Sequence, residues 1–286
     1  VTFGTPESVV PSRYCRDFRT EETPVSYPVS RIRFWKNDRG CVLEFPVGTE
    51  QFFGFGLQLK GFNQTDKELI LRVNADPRNT AGDSHAPVPF WVTTGGYGIY
   101  LDTARNIEVQ TKVRRASDGQ TVMTVQIPAA RGVDVYIMEG KTISEIVAQY
   151  NRMAGGGCRV PEWGLGTIYR VNWHDPQEKV LHTASYFREN EMPCRILGLE
   201  PGWHSHSYPC SYRWNRELFP EPEEMIRKLK EMGYHLNLWE HAYVSPEADI
   251  YEEMKPYSGD YLVLDGLAAD LSPGRGREIF AKYHRE

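Results

Sequence analysis

The chain has 286 residues, of which 40% are hydrophobic and 12% aromatic, so it can bury a sizeable core and is long for a single domain. Its formal net charge is −5 and its basic residues are scattered, which disfavours nucleic acid as a partner. The sequence has no charged-then-apolar leader and no apolar run of the roughly 18 to 20 residues that cross a bilayer, which disfavours a membrane partner.

The cysteines indicate the cellular setting. The five are Cys15, Cys41, Cys158, Cys194 and Cys210. Because they are widely spaced, odd in number and without a CxxC pair, they disfavour both a disulfide framework and a zinc site. We therefore expect a reducing, cytoplasmic location. The chain begins at Val1 rather than at Met and ends inside a predicted helix at Glu286, so we expect both ends to be cut.

The first part of the chain, up to about Asp134, predicts an all-β domain. Short runs of β-branched and aromatic residues alternate there with turn residues. The predicted strands cover residues 31–35, 41–45, 69–73, 90–94, 98–102 and 121–127. Residues 37–40 and 117–119 have the composition of hairpin turns. Several short strands at this spacing indicate an antiparallel β-sandwich.

A helix follows the predicted sandwich. Thr142 and Glu145 have the spacing of a capping box, and apolar residues over 143–150 repeat at helical spacing. The glycine run 155–157 ends this helix and marks a boundary between domains.

After Pro161 the sequence alternates strands with helices. The predicted strands cover residues 164–170, 194–199 and 234–239, and the predicted helices cover 176–189, 221–232 and 273–284. Helices of about ten residues between strands predict βαβ units and a parallel sheet. A doubly wound sheet and a (β/α)₈ barrel both fit. The first strand is followed by bulky polar residues rather than by GxGxxG, which disfavours a dinucleotide-binding oxidoreductase.

We divide the chain into a sandwich domain over residues 1–140, a linker helix with its glycine-rich boundary over 141–160, and a second domain over 161–286. Only three βα units can be counted in the second domain, less than half of an eight-stranded barrel. An open barrel exposes strand edges and an apolar interior to water, so we do not expect this part to be stable alone.

The residues that follow the predicted parallel strands are the candidate site, because ligands of such folds bind at the carboxyl ends of the strands. Glu200 and Trp203 follow the second strand, and Glu240 and His241 follow the third. Aromatic faces stack on the C–H surfaces of sugars, and charged acceptors bind hydroxyl groups. These residue types therefore suit a carbohydrate.

Each candidate has a second interpretation. Glu200 either binds a ligand or pairs with an arginine such as Arg170. Glu240 and His241 allow the same two roles and also a metal site, although no HExxH spacing is present. Trp203, after a Glu-Pro-Gly turn, is assigned to a pocket wall. The other tryptophans considered, which fit core packing, are Trp163, Trp173 and Trp214.

A series of short motifs runs along both halves of the chain. In the first half they are FFGFG at 52–56, NAD at 74–76 and the run 89–102, which contains an aromatic-Gly-aromatic strand ending in Asp. In the second half they are PEWGLG at 161–166, EPGW at 200–203, FPEP at 219–222, GYHLNLW at 233–239 and GLAADLS at 266–272. In type and order these motifs resemble glycoside hydrolase family 31, the α-glucosidase and α-xylosidase family, over about residues 45–286.

The resemblance implies a multi-domain fold, in which an antiparallel, mutarotase-like β-sandwich precedes the first three βα units of a (β/α)₈ TIM barrel. It implies a retaining, exo-acting α-glycosidase, where one carboxylate attacks the anomeric carbon and a second protonates the leaving oxygen and then activates water. In the family these acids follow the fourth and sixth barrel strands. Both are therefore expected beyond Glu286, and no catalytic residue is named. The mechanism implies neither a cofactor nor a metal.

The resemblance also assigns substrate-binding residues. They are Glu200, Trp203, Glu240, His241 and Asp83. Asp83, on a loop of the sandwich domain, is expected to reach over the barrel mouth. The family motif after the second strand carries two aspartates, but here Glu200 replaces the first and Gly202 replaces the second. We therefore expect the sugar bound at the −1 subsite to differ from plain glucose.

A non-catalytic carbohydrate-binding or structural module is the alternative function, since aromatic strand ends suit binding as well as catalysis. A transglycosylase would share all these features and differ only in its acceptor subsite. The expected partner is an oligosaccharide or an α-glycoside, and the sequence is compatible with a homo-oligomer. The sequence does not identify the sugar or the linkage.

Overall fold

The computed structural model describes residues 1–7, 24–59, 61–74, 82–271 and 274–285. Cys15, the end of the 74–76 motif and Pro273 lie outside these ranges. The chain divides into two units, Val1–Cys158 and Arg159–Glu286, each with its own core. Within the described ranges, no helix is both long and apolar enough to cross a membrane.

The described part of the first unit holds eleven strands and one α-helix. The strands are β1 (Thr2–Gly4), β2 (Arg33–Asn37), β3 (Gly40–Pro46), β4 (Phe52–Gly56), β5 (Glu68–Val73), β6 (Asp83–Ser84), β7 (Pro87–Thr93), β8 (Tyr97–Asp102), β9 (Ile107–Arg115), β10 (Thr121–Pro128) and β11 (Gly132–Glu139). The helix is α1 (Ile143–Met153).

These strands form a sandwich of two sheets. One sheet has the order β1-β11-β8-β7-β4 and the other β2-β3-β10-β9-β5-β6; all pairs are antiparallel except β5 with β6. Alternate residues of both sheets enter one core, in which Phe45 of β3 meets Trp91 of β7 edge to face at 5.5 Å between ring centroids. The predicted antiparallel sandwich is confirmed.

The strand boundaries differ from the prediction in places. The strand predicted at 31–35 begins at Arg33, because residues 29–31 form a 3₁₀ turn. Strand β9 was not predicted, since its outer face is polar and charged along most of its length. Such a strand lacks the apolar run from which strands are usually recognised.

Helix α1 packs against the outer face of the five-stranded sheet. Because side chains alternate along β7, Trp91 enters the sandwich core while Phe90 points to the helix, where it stacks on Tyr150 with centroids 4.0 Å apart. The Thr142 hydroxyl accepts a hydrogen bond from the Glu145 N–H at 3.2 Å, which confirms the predicted cap. The helix assigned to a linker thus belongs to the packed structure of the first unit.

The second unit begins with three strands, each followed by polar and aromatic residues. Its elements are β12 (Thr167–Arg170), α2 (Gln177–Glu189), β13 (Cys194–Leu199), α3 (Pro222–Glu231), β14 (His235–Leu238), β15 (Tyr243–Val244), α4 (Tyr251–Met254), β16 (Ser258–Val263), β17 (Gly266–Ala269) and α5 (Gly274–Tyr283). The predicted parallel sheet is present, because β12, β13 and β14 pair in parallel in chain order.

One face of the parallel sheet is covered by two helices, and the described residues place no helix on the other. Leu197 and Leu199 of β13 pack in one core with residues of both α2 and α3. On the opposite face Ile168 and Asn237 are exposed, Ile196 is buried, and the ring of Trp163 stacks on His235. A doubly wound sheet carries helices on both faces, so this one-sided arrangement favours the barrel over that alternative.

The second unit differs from the prediction in two places. The strand predicted at 164–170 starts only at Thr167, because Glu162–Leu165 is a 3₁₀ turn. The sequence also gave no sign of a small antiparallel sheet, ordered β15-β17-β16, which packs with α4 and α5 in a separate core. Its shortest strand has two residues, too few for a periodic pattern.

The cap of α1 can be tested by mutation. Thr142→Ala removes the acceptor for the Glu145 N–H and should lower the free energy of unfolding of the first unit by about 1 kcal/mol. Ser144→Ala, at an exposed position in the same turn, serves as the control and should change it by less than about 0.5 kcal/mol. Urea denaturation measures both, and equal values would show that the cap adds nothing.

Candidate functional site

The carboxyl ends of β12 and β13 are joined by an ion pair. Arg170 is the last residue of β12, and its guanidinium contacts the Glu200 carboxylate directly after β13. Gly198 makes room for the arginine, since a Cβ at this position would lie 3.2 Å from Arg170 Cγ. Glu200 therefore lies at the sheet edge with one oxygen against a cation. The sequence left two roles open for it, and the pair with Arg170 is the contact present.

Gly202 is required by the close approach of the preceding loop. A Cβ at this position would overlap the carbonyl oxygen of Trp173 and lie 2.7 Å from Trp173 Cδ1. An acidic side chain cannot occupy this position without moving that loop. The glycine found in place of the family's second acid is thus explained by packing, because the backbone of Trp173 fills the space of a side chain.

Aromatic rings form a partly exposed surface beside Glu200. Tyr208, 43% exposed, contacts Trp173 at 5.5 Å, Trp239 at 5.3 Å and His241 at 5.4 Å between ring centroids. Trp173 is 39% exposed. The three residues that Tyr208 joins follow β12 and β14, while Tyr208 itself comes from the connection after β13. We call Trp173, Tyr208, Trp239 and His241 the aromatic cluster.

The sequence analysis misassigned one member of the aromatic cluster and missed another. The assignment of Trp173 to core packing is wrong, because its ring is partly exposed at the strand ends. Tyr208 lies several residues beyond β13, so inspection of the residues next to each strand could not find it. A tyrosine followed by proline in a serine- and histidine-rich connection was the only available signal.

Trp203 lies beneath this surface rather than on it. Its side chain is 5% exposed and belongs to the core under the sheet, and its Nε1–H donates to the Trp239 carbonyl at 2.8 Å. The neighbouring His204 is 2% exposed, stacks on Trp203 at 3.7 Å, and its Nε2 lies 3.1 Å from the same carbonyl. Burial lowers the pKa of His204 to about 4, so its imidazole is neutral at neutral pH.

Glu240 and His241 face different partners. Glu240 Oε1 lies 3.2 Å from Nε2 of His284, and this contact raises the pKa of that histidine. Nδ1 of His241 accepts the Tyr243 N–H at 3.1 Å and lies 3.5 Å from the thiol of Cys210. Burial lowers the pKa of His241 and raises that of the Cys210 thiol to about 11, so neither is charged at neutral pH.

Asp83, the fifth predicted site residue, lies in the first unit. It begins the short strand β6, so its predicted loop position is wrong. Its buried carboxylate accepts hydrogen bonds from Arg72 at 2.7 Å and from Asn74 at 3.2 Å, and these lower its pKa. These contacts hold Asp83 within the sheet of the sandwich.

The alternative of a metal site at Glu240 and His241 depends on further ligands. Among the described residues, no group of three or more His, Cys, Asp or Glu side chains is arranged to hold a metal ion. The partners of these two residues are instead an imidazole, a backbone N–H and a thiol.

Comparison with known proteins adds to this geometry. Residues 158–276, which include β12 to β17, match the profile of the glycosyl hydrolases family 31 TIM-barrel domain. The comparisons thus relate the chain to glycoside hydrolase family 31.

The curated relatives are distant from this chain in sequence. Alpha-xylosidase XylQ of Lactiplantibacillus pentosus is 20% identical over 72% of this chain, and an alpha-xylosidase of Emericella nidulans is 21% identical over 73%. The chain spans about a quarter of the length of these curated relatives, 26% in each case. The glucose complex of a Flavobacterium johnsoniae family 31 dextranase shares the fold with a TM-score of 0.72 and 18% identity, covering 88% of this chain and 32% of the dextranase.

The packing at Gly202 predicts a large effect of a small change. Gly202→Ala forces a methyl group against the backbone of Trp173 and should lower the free energy of unfolding of the second unit by about 1 to 3 kcal/mol. Gly274→Ala, in the same unit, is the matched control, because a Cβ there meets only Arg277 Nη2 at 3.8 Å, and it should leave stability unchanged or slightly raised. Urea denaturation followed by tryptophan fluorescence compares the two. A tolerated Gly202→Ala would contradict the close approach.

Buried His204 predicts a pH dependence of stability. The pKa of histidine is about 6.5 in the unfolded chain, and that of His204 is about 4 in the folded protein. The contribution of His204 to the free energy of unfolding is therefore fully present above pH 6.5 and is lost as the pH falls from 6.5 toward 4. Between pH 7.5 and 5 the loss should be about 2 kcal/mol. His204→Phe should remove this part, whereas His182→Phe, at an exposed position of α2, should retain it. Denaturant titrations at both pH values measure the difference.

Proposed function

We propose that this chain forms the sandwich domain and the first part of the catalytic barrel of a retaining, exo-acting α-glycoside hydrolase. The observation that carries the proposal is the meeting of a carboxylate and an aromatic surface at one edge of a parallel sheet. Glu200 and the aromatic cluster come from three successive strand ends, where the ligands of barrel enzymes bind.

The proposed substrate is an α-linked xyloside or glucoside. Two of the curated relatives are alpha-xylosidases, and the dextranase neighbour was solved with glucose bound. Aromatic rings such as Tyr208 and Trp173 would stack on the sugar, and the free acceptor capacity of Glu200 would bind a hydroxyl group. Glu240 and His241 would supply further polar contacts from the end of β14.

The barrel assignment rests on the face of the sheet that α2 and α3 do not cover. Ile168, His235 and Asn237 are exposed there, and in a (β/α)₈ barrel this face lines the interior. We propose that β12, β13 and β14 are the first three barrel strands, and that strands encoded beyond Glu286 close the barrel. The nucleophile and the acid/base would follow two of those later strands, about 5 to 5.5 Å apart as retention requires.

The role of Glu200 can be tested in the protein encoded by the complete reading frame. Wild type should hydrolyse at least one member of a panel of p-nitrophenyl α-glycosides. Glu200→Gln keeps the size of the side chain and removes its charge, so kcat/KM should fall roughly 10- to 100-fold, as expected for a lost charged hydrogen bond. Glu189→Gln, exposed at the end of α2, is the control and should retain wild-type kinetics.

Two other outcomes have clear meanings. If wild type binds α-glycosides but turns over none of them, the chain belongs to a carbohydrate-binding module instead of an enzyme. If Glu200→Gln keeps full activity but loses stability to the same extent as Arg170→Gln, Glu200 serves only as the partner of Arg170.

A further inference from the structure

The backbone of Trp239 is held on both sides by the strand and turn next to it. Its N–H donates to the Leu199 carbonyl at 3.0 Å, which continues the pairing of β13 with β14. Its carbonyl oxygen receives Trp203 Nε1 at 2.8 Å and His204 Nε2 at 3.1 Å. A carbonyl oxygen has two lone pairs, so this acceptor is fully used.

The two donors are adjacent in the chain and deeply buried. Trp203 is 5% exposed and His204 is 2% exposed, and their rings stack on one another. Because the carbonyl can only accept, His204 must carry its proton on Nε2. Nδ1 of the same ring is buried and has no hydrogen-bond partner among the described residues. In the part of the chain that the structure describes, the side chain of His204 makes its one hydrogen bond to Trp239.

The held residue connects the core to the exposed aromatic cluster. The ring of Trp239 contacts Tyr208 at 5.3 Å and His241 at 5.1 Å. The chain leaving Trp239 leads directly to Glu240 and His241. Any rotation of the Trp239 peptide plane would therefore move one aromatic ring and two polar side chains of the candidate site together.

We propose that Trp203 and His204 are positioning residues, which fix the Trp239 peptide and thereby the sugar-binding surface after β14. The expected effect on KM rests on the proposed function, whereas the expected effect on the position of Trp239 does not. Trp203 would then affect substrate binding indirectly, because its buried indole N–H holds the peptide of Trp239. The alternative is that the side chains of Trp203 and His204 contribute only to core packing.

Two substitutions at His204 separate these roles. His204→Gln keeps an N–H donor near the position of Nε2, whereas His204→Phe keeps the ring and loses the donor. Trp203→Phe removes the other donor independently, in case one variant fails to fold. The full-length protein, labelled with 5-fluorotryptophan, reports the position of Trp239 by ¹⁹F NMR, with its resonance assigned through Trp239→Phe.

The expected result is a split between the two His204 variants. In His204→Phe the Trp239 resonance should shift or broaden, and KM for the α-glycoside should rise about tenfold with kcat within about twofold, because the surface binds ground state and transition state alike. His204→Gln should keep the Trp239 resonance at its wild-type position and KM within about threefold of the wild-type value. Trp203→Phe should behave like His204→Phe.

Other results would overturn the inference. An unmoved Trp239 resonance with unchanged KM in both phenylalanine variants would show that the contacts to the carbonyl position nothing. Equal defects in His204→Gln and His204→Phe would assign the effect to ring packing. Absence of turnover in wild type would reject the proposed function alone, since the ¹⁹F readout would still decide whether Trp239 is held by these donors.

Discussion

The parallel pairing of β13 with both of its neighbours is the constraint on which the candidate site depends. The register places Arg170, Gly198 and Asn237 side by side across the three strands. Because parallel strands end at the same edge, the residues that follow them are brought together although they are far apart in the sequence. The glycine in the middle of this row leaves space for the arginine that reaches Glu200.

Close backbone packing and two side-chain hydrogen bonds shape the turn after β13. Gly202 lies so close to Trp173 that a methyl group has no room, and Trp203 and His204 then turn inward to the Trp239 carbonyl. The turn is thus fixed at both ends of its short length, to the loop after β12 and to the end of β14. With its own backbone fixed in this way, the connection that carries Tyr208 starts from a defined point.

The sequence predicted the elements that local patterns encode. The cap at Thr142, the sandwich and the parallel strands follow from spacing and periodicity, and the strand ends correctly located Glu200. It could not predict which aromatic residues would be exposed, because this depends on how connections fold over the sheet. Trp203 was assigned to a wall and lies in the core, whereas Trp173 was assigned to the core and is partly exposed. Both lie shortly after a predicted strand and are directly followed by a histidine, and tertiary contacts decide which of them is buried.

The ion pair with Arg170 orients the carboxylate that follows β13. Arg170 is more than half exposed in its pair with Glu200, and such pairs add at most about 1 kcal/mol to stability. The pair therefore contributes little to the fold, and what it determines is where the carboxylate points. A carboxylate has about four acceptor sites, so a guanidinium on one oxygen leaves capacity for the hydroxyl groups of a sugar. The cation orients the Glu200 carboxylate, as its proposed role in binding a sugar hydroxyl group requires.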